Sequence, residues 1–512
     1  MSFHGVFEML FMYIHAPETC QARFKNARVL RRHTGFAQST VTLAIGLAFA
    51  APVVAQPAPS LPVMPNAFVA EHDPTPAPDA AAWWATFRDP LLDELLSAAV
   101  AANHDVRIAL ARVELARAGV SNATADLLPS VSAIGATSRS TTTYDAVVRR
   151  QLPDIQAERA GAQVSWEIDL FGRARAGRRA AQADALAAED AHRGAVLMAL
   201  ADTAEQYFTL RGAQDQRRIV TELIGTERET LRLTELRHAR GTASEFDIDR
   251  ARAELAETES SLPRLDSRVT VTLHRLAVLT GRAPGAWDEK LVDGSGRPIV
   301  PVALPAGQPP DLLLRRPDVL AAEAGLASAG YRLDAARAVQ FPQLFVSALF
   351  GSQWTDVNAL DIGRARFANV ASALALPLFA GGRIHAGIAA ARAEQREALA
   401  RYEQAVLRAL VDVESALTSF HNDSRRAALI EQSVDARLSA LRKAQSLYRA
   451  GEIDLLQLLD VERGLLASRL EASDNTTLRL IDAVQTYRAL GGGWEQFEKS
   501  ASTGPAIQSP TP

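Results

Sequence analysis

Cysteine occurs once in 512 residues, at Cys20. It lies upstream of the segment read below as an export signal, so the mature chain would have no disulfide and would fold on packing alone. Charge of one sign is equally scarce. Against 59 acidic side chains stand 55 basic ones, which leaves no electrostatic footprint for nucleic acid. Beyond residue 55 no apolar run reaches the roughly 18 residues a membrane-spanning helix needs. Also missing are a glycine-rich phosphate loop, a cysteine cluster, a histidine pair at metal spacing and a serine in a nucleophile elbow. His385, beside Gly382 and Arg383, reads as a helix-start residue and not as a ligand. These absences argue against an enzyme and offer no catalytic group, cofactor or metal site.

What is present begins with "RVLRRHTGFAQSTVTLAIGLAFAAPVVA" over residues 28–55, a basic cluster, an apolar run and small residues before a cut after Ala55. Residues 1–55 therefore read as a targeting segment, and the stretch before the basic cluster reads as a start codon assigned too early.

The mature chain reads as two collinear halves, 56–282 and 317–492, joined by a linker over 283–316 and followed by a tail over 493–512. An Asp-Val pair precedes a proline by the same spacing in each half, Asp105 to Pro129 and Asp318 to Pro342. "DLFGRARAG" from Asp169 answers "PLFAGGRIHAG" from Pro377, Gly241 answers Gly451, and Leu279 answers Leu490. Landmarks that keep both order and offset mark a duplication, because shared composition would scatter them.

Within each half a helix, capped by Asn103 or started at Pro317, leads to a strand pair, about 130–171 and about 343–379. "AQVSWEIDLF" alternates, with Ala162, Val164, Trp166, Ile168 and Leu170 on one face and Gln163, Ser165, Glu167 and Asp169 on the other. Strands of about ten residues with one oily face have the length to cross an outer membrane. Four of them leave open edges that hydrocarbon does not tolerate, so other copies must close them. Two copies give eight strands with a filled interior; three give twelve and a lumen, which Glu167 and Asp169 on the wet face would line. The alternative is a small periplasmic sandwich or hairpin on a helical scaffold.

Proline is absent from 154–262 and from 378–504. There apolar residues recur three or four apart, as in Leu399, Tyr402, Val406, Leu410, Val413, Leu417 and Phe420, the stripe of a coiled coil. Long hairpins follow, about 174–281 and about 384–490, broken at Gly241 and Gly451. Pro263 predicts a kink, a change of packing partner or a helix start.

Taken together, "WWATFRDPLLDELLSAAVAANHDVRIALARVELARA" from Trp83, "WEIDLFGRARAG" from Trp166, "DLLLRRPDVLAAEA" from Asp311, "PLFAGGR" from Pro377 and "YRAGEIDLLQLLDVERGLL" from Tyr448 resemble the outer membrane factor family. These are the TolC-like exit ducts of Gram-negative bacteria, here of the NodT type that works with proton-driven pumps. The resemblance implies a mostly α, α+β tandem-repeat protomer with four transmembrane β-strands and long antiparallel coiled-coil helices. Three protomers would form a 12-stranded β-barrel and a 12-helix periplasmic tunnel, with an equatorial collar that includes "RPIVPVALPAGQPPD" over 297–311. Implied partners are sister subunits, a periplasmic adaptor (membrane fusion) protein docking on the tip turns at Gly241 and Gly451, an inner-membrane proton-driven pump, and outer membrane lipid.

Anchored on the turn glycines, the resemblance places Asp460 at the family's inner gate aspartate and Gln457 where some members have a second one. Asp247 and Tyr448 fall on a carboxylate and a hydroxyl that latch neighbouring hairpins, and Ile453 stands where some members have an arginine. Three copies of Asp460 around an axis would make a cation-selective constriction. The other reading of Asp247, Asp249 and Asp460 is as solvated or N-terminal residues of the return helices, where carboxylates are favoured. NodT-type members commonly carry a lipobox cysteine after the signal, where this chain reads "LAFAAPVVAQP"; the expectation is an unlipidated start near Gln56. A periplasmic coiled-coil adaptor or scaffold is the alternative function, sharing the hairpins and the signal.

Overall fold

The computed structural model describes residues 68–69, 80–141, 154–292, 299–301, 304, 315–357 and 360–497. The export signal with Cys20, the missing lipobox, most of the segment 297–311 and the tail beyond 497 lie outside the described residues.

Helix α1 (Pro90–Ala102) begins at Asp89, whose carboxylate accepts from the Leu91 and Leu92 N–H groups, and carries proline where no donor is needed. Helix α2 (His104–Ala125) starts at Asn103. The Asn103 side chain accepts from the Asp105 N–H at 2.8 Å and donates to the Leu279 carbonyl at 3.0 Å, so one residue caps two helix ends.

Strands β1 (Ser130–Ser140) and β2 (Ile155–Ile168) follow, then α3 (Arg173–Ala239) and α4 (Glu245–Leu279). The second half repeats this order with α5 (Pro317–Ala338), β3 (Gln343–Val357), β4 (Leu360–Ala375), α6 (Arg383–Ala450) and α7 (Leu455–Ala489). Helices α3 and α6 are 67 and 68 residues long, about 100 Å each. Both start at a left-handed glycine, Gly172 and Gly382.

The four strands form one antiparallel sheet in the order β1-β2-β3-β4. They run 11 to 16 residues, longer than the sequence alternation marks, because the ladder continues past the apolar rows into polar ends such as Glu158, Asp356 and Arg364. Opposed residues share a face. One face carries the row Val131, Val164, Ala348, Val370; the other carries Ser130, Ser165, Ser347, Ala371 and the row Ser132, Gln163, Leu349, Asn369.

The largest core lies where both halves meet. Trp83, Trp84 and Phe87, from a 3-10 segment Ala80–Phe87, pack with α1 (Leu92, Leu95, Leu96), α3 (Leu200, Tyr207, Phe208), α7 (Leu480, Val484, Tyr487) and Trp287. Trp83 stacks on Tyr487 with centroids 5.5 Å apart. Each such side chain contributes about 2–3 kcal/mol of burial. Gly281 and Gly491 end the return helices here with φ of +65° and +76°. At Gly281 a Cβ would also strike the Ala102 carbonyl, so neither the dihedral nor the space admits another residue.

Pro263 lies inside a continuous α4. Burial stops after Thr258 and resumes at Thr272, so the proline occupies a stretch of the helix with no buried residue. Among the described residues no helix is long and apolar enough to cross a membrane.

Candidate functional site

Two features are candidates for function: the helix tips and the sheet. At the tips both turns are built alike. The N–H of Gly241 donates to His238 O (2.8 Å) and that of Thr242 to Arg237 O (2.9 Å); Gly451 donates to Tyr448 O (3.1 Å) and Glu452 to Leu447 O (2.9 Å). Both glycines are left-handed, with φ of +75° and +80°, which closes the helix end without strain.

Tyr448 is buried behind the second turn. Its hydroxyl shares a 2.8 Å hydrogen bond with Thr234 Oγ1. Arg237 lies over its ring at 4.7 Å and donates to its carbonyl at 3.2 Å. Asp247 does not reach the tyrosine. Its carboxylate accepts from the Ser244 N–H (2.9 Å) and Oγ–H (2.8 Å) in a capping box, the nearest unsatisfied donors at a helix start. Those bonds, with Arg237 and Arg250 nearby, hold the Asp247 carboxyl below the usual carboxylate range. Arg237 thus lies over the Tyr448 ring and also acts on the Asp247 carboxylate through its charge.

Behind Tyr448 a polar ladder continues into the hairpins. Thr230 donates to Glu462 at 3.0 Å, Thr258 donates to Glu227 at 3.0 Å, and Arg463 clasps Glu254 with both nitrogens. Three carboxylates thus face one guanidinium across α3, α4 and α7. Glu462 is 0% and Glu227 2% exposed, and one oxygen of each, Oε2, has no hydrogen-bond partner. Burial pushes both carboxyls up to about 7, against the hydrogen bonds from Thr258 and Thr230 and with the help of Glu254. Leu441, Ala444, Leu458, Leu459 and Leu465 surround the ladder, which lowers the local dielectric.

Sequence reading missed Thr234, Arg237 and this carboxylate set. The available signal was polar residues at core spacing, Glu227, Thr230 and Thr234 on one helix stripe. Asp460 and Gln457 are exposed on α7, on the side away from Leu458 and Leu459. The Gln457 N–H is capped by Asp454 at 2.8 Å.

At the base of the sheet Glu167 forms a two-bond ion pair with Arg173 (2.8 and 3.1 Å), and Asp169 accepts from the Arg175 N–H and Nε at 2.9 and 3.1 Å. Burial opposes the Asp169 charge, but the Arg175 and Ala174 hydrogen bonds outweigh it and hold the carboxyl low. Both acids thus tie β2 to the start of α3. Among the described residues, edges β1 and β4 have no strand neighbour. Among the described residues no group of histidine, cysteine, aspartate or glutamate is placed to hold a metal ion.

Comparison with known proteins bears on these features. Residues 95–282 and 309–492 match the outer membrane efflux protein family, one match in each half. The pyoverdine export outer membrane protein OpmQ of Pseudomonas aeruginosa is 32% identical over 427 residues, covering 82% of this chain and 89% of OpmQ. The cation efflux system protein CusC of Escherichia coli is 27% identical over 417 residues, covering 81% of this chain and 89% of CusC. The solved outer-membrane channel OprN superposes with a TM-score of 0.76 at 31% identity, covering 86% of this chain and all of that one. These matches set aside the periplasmic adaptor, since the family model, OpmQ and OprN are all described as outer membrane components and are matched over most of the chain. Carrying the family pattern in both halves and the fold of a solved channel, the chain belongs to the outer membrane efflux protein family and serves as an efflux duct of the Gram-negative outer membrane with a large periplasmic portion.

Proposed function

We propose that the duct is a passive homotrimer that receives small molecules from a periplasmic adaptor and an inner-membrane proton-driven pump and is gated at its helix tips. The observation that carries this reading is the four-stranded sheet with an oily face and two edges, β1 and β4, that are unpaired among the described residues. In hydrocarbon each unpaired backbone group costs several kcal/mol, so the edges require strands from other copies. Twelve strands enclose a water-filled lumen, which Glu167 and Asp169 border.

In this reading Asp460 and Gln457, exposed on α7 near the second turn, project into the constriction as rings of three. Tyr448 holds the second hairpin to the first through Thr234 and Arg237, and Asp247 sets the charge beside Arg237 from the start of α4. The turns at Gly241 and Gly451 form the docking end for the adaptor. Relatives named for pyoverdine and for cations share this scaffold, which supports a duct that selects its cargo by charge and width more than by a binding pocket.

The test is single-channel recording in a planar bilayer. Asp460→Ala is expected to raise resting conductance and weaken cation preference, with heat-resistant trimer bands unchanged. Unchanged conductance would remove Asp460 from the gate.

A further inference from the structure

The duplication makes the chain its own template for the junction between copies. Within the chain the two halves meet where β2 pairs with β3 in the register Ser165 opposite Ser347. Below that pair Phe171, after β2, stacks on Phe341, before β3, with centroids 5.0 Å apart. Helix α5 lies against α3, with Ser328 Oγ donating to Ala180 O at 3.1 Å and Arg332 paired with Asp184 at 2.6 Å.

Moved to the free edges by the repeat, each of these positions finds an exposed residue. Phe171 corresponds to Phe379, which is 91% exposed; Phe341 corresponds to Leu128, 62% exposed; Ser328 corresponds to Leu115, 73% exposed. At the internal junction the same positions are less exposed, Phe171 at 48%, Phe341 at 40% and Ser328 at 0%, so the barer apolar side chains at the free edges mark a surface whose cover is a second copy.

We propose that β4 of one copy pairs with β1 of the next in the register Ala373 opposite Ile134, with Phe379 packing on Leu128 of the partner subunit. This rests on the oligomeric duct proposed above. Two landmarks set the register: Leu170-Phe171 answers Leu378-Phe379, which carries Ser165 to Ala373, and Pro129 answers Pro342, which carries Ser347 to Ile134.

Face continuity agrees. The pairing sets Leu374 opposite Ala133 and Val370 opposite Thr137, so the apolar face runs unbroken across the seam, whereas a slip of one residue would turn the edge inside out.

Strand tilt separates this register from one slipped by two. A walk from Ser130 through Ser165, Ser347 and Ala371 arrives at Ala136 of the partner subunit, and over three copies this stagger of about 18 residues gives a tilt of about 46°. The slip by two, which the alignment of Gly172 with Gly382 would give, makes the stagger about 24 residues and the tilt about 54°, well beyond the usual 35–45°.

The experiment uses the full chain in outer membranes in a Cys20→Ser background, with copper-phenanthroline as oxidant and heated non-reducing gels as readout. A373C/I134C is expected to give covalent trimer at least 10-fold above A373C/A136C and above either single variant. Covalent trimer favouring A373C/A136C, or equal for both pairs, overturns the register while leaving the trimer in place. Absence of any oligomer, by cross-linking and by the mass of the detergent-extracted unmodified chain, overturns both the register and the duct on which it rests.

Discussion

Raising the pH from 5 to 8 should loosen the junction between the two hairpins, and Glu462→Gln should remove much of that response. The groups that face one another are Glu227 on α3, Glu254 on α4, and Glu462 and Arg463 on α7, while α6 contributes the apolar Leu441 and Ala444. Both folded-state values, about 7, lie above the ordinary 4.5. The buried neutral form is therefore the one the packing favours. Its stabilisation is complete below pH 4.5, falls as the pH rises toward 7, and is lost above that. One such group is worth about 3 kcal/mol, and two coupled groups titrate as a pair, so the total is less than twice that. The assay is hydrogen exchange of segments 224–238 and 458–469 in the detergent-solubilised protein, corrected for the intrinsic rate, at pH 5.5 and 8. Wild type should exchange on the order of 10- to 100-fold faster at the higher pH. Glu462→Gln keeps the acceptor for Thr230, removes one titrating group, and should at least halve that ratio on a logarithmic scale. Equal pH slopes in wild type, Glu462→Gln and Glu227→Gln would refute the reasoning, because burial of these carboxyls would then carry no charge penalty.

Tyr448→Phe deletes the bond to Thr234, whose hydroxyl keeps the Thr230 carbonyl at 2.8 Å; the cost should be about 1 kcal/mol, read as a higher resting conductance with unchanged secondary structure by circular dichroism. Trp83→Ala removes a side chain that is fully enclosed and stacked on Tyr487, at about 3–5 kcal/mol. Its trimer band should therefore dissociate at a lower temperature in a heating series, and an unshifted band would show that this core does not hold the assembly.

Periodicity made the long elements legible. A proline-free stretch with an apolar stripe leaves a helix few alternatives, and the glycines at 241 and 451 mark where φ must turn positive. The alternation in "AQVSWEIDLF" likewise gave the two faces of β2, which the ladder reproduces as the rows through Val164 and Ser165. What could not be read was which polar residues at core spacing find each other. Glu227, Thr230 and Thr234 look like interruptions of the α3 stripe until α4, α7 and α6 bring Thr258, Glu462 and Tyr448 to them, and those neighbours lie 31 to 232 residues away in sequence. Asp247 is bonded locally, to Ser244 three residues away, a contact that costs little chain entropy.

The placement of apolar and polar contacts along the hairpins then bears on where movement can occur in the proposed gate. Near the sheet-side end of the return helices, Trp83, Phe87, Tyr207, Phe208 and Tyr487 form a continuous apolar core, and separating those helices would cost several aromatic contacts at once. Near the turns the junction between hairpins relies on Tyr448 with Thr234, Glu462 with Thr230, and Glu254 with Arg463. Each of these pairs can exchange its partner for water at a net cost of about 1–3 kcal/mol, and the two proton-binding carboxyls gain solvation when it happens. A hairpin held this way opens from the tip while its root stays packed, which is the motion an iris requires and one that an all-leucine seam over the same length would suppress.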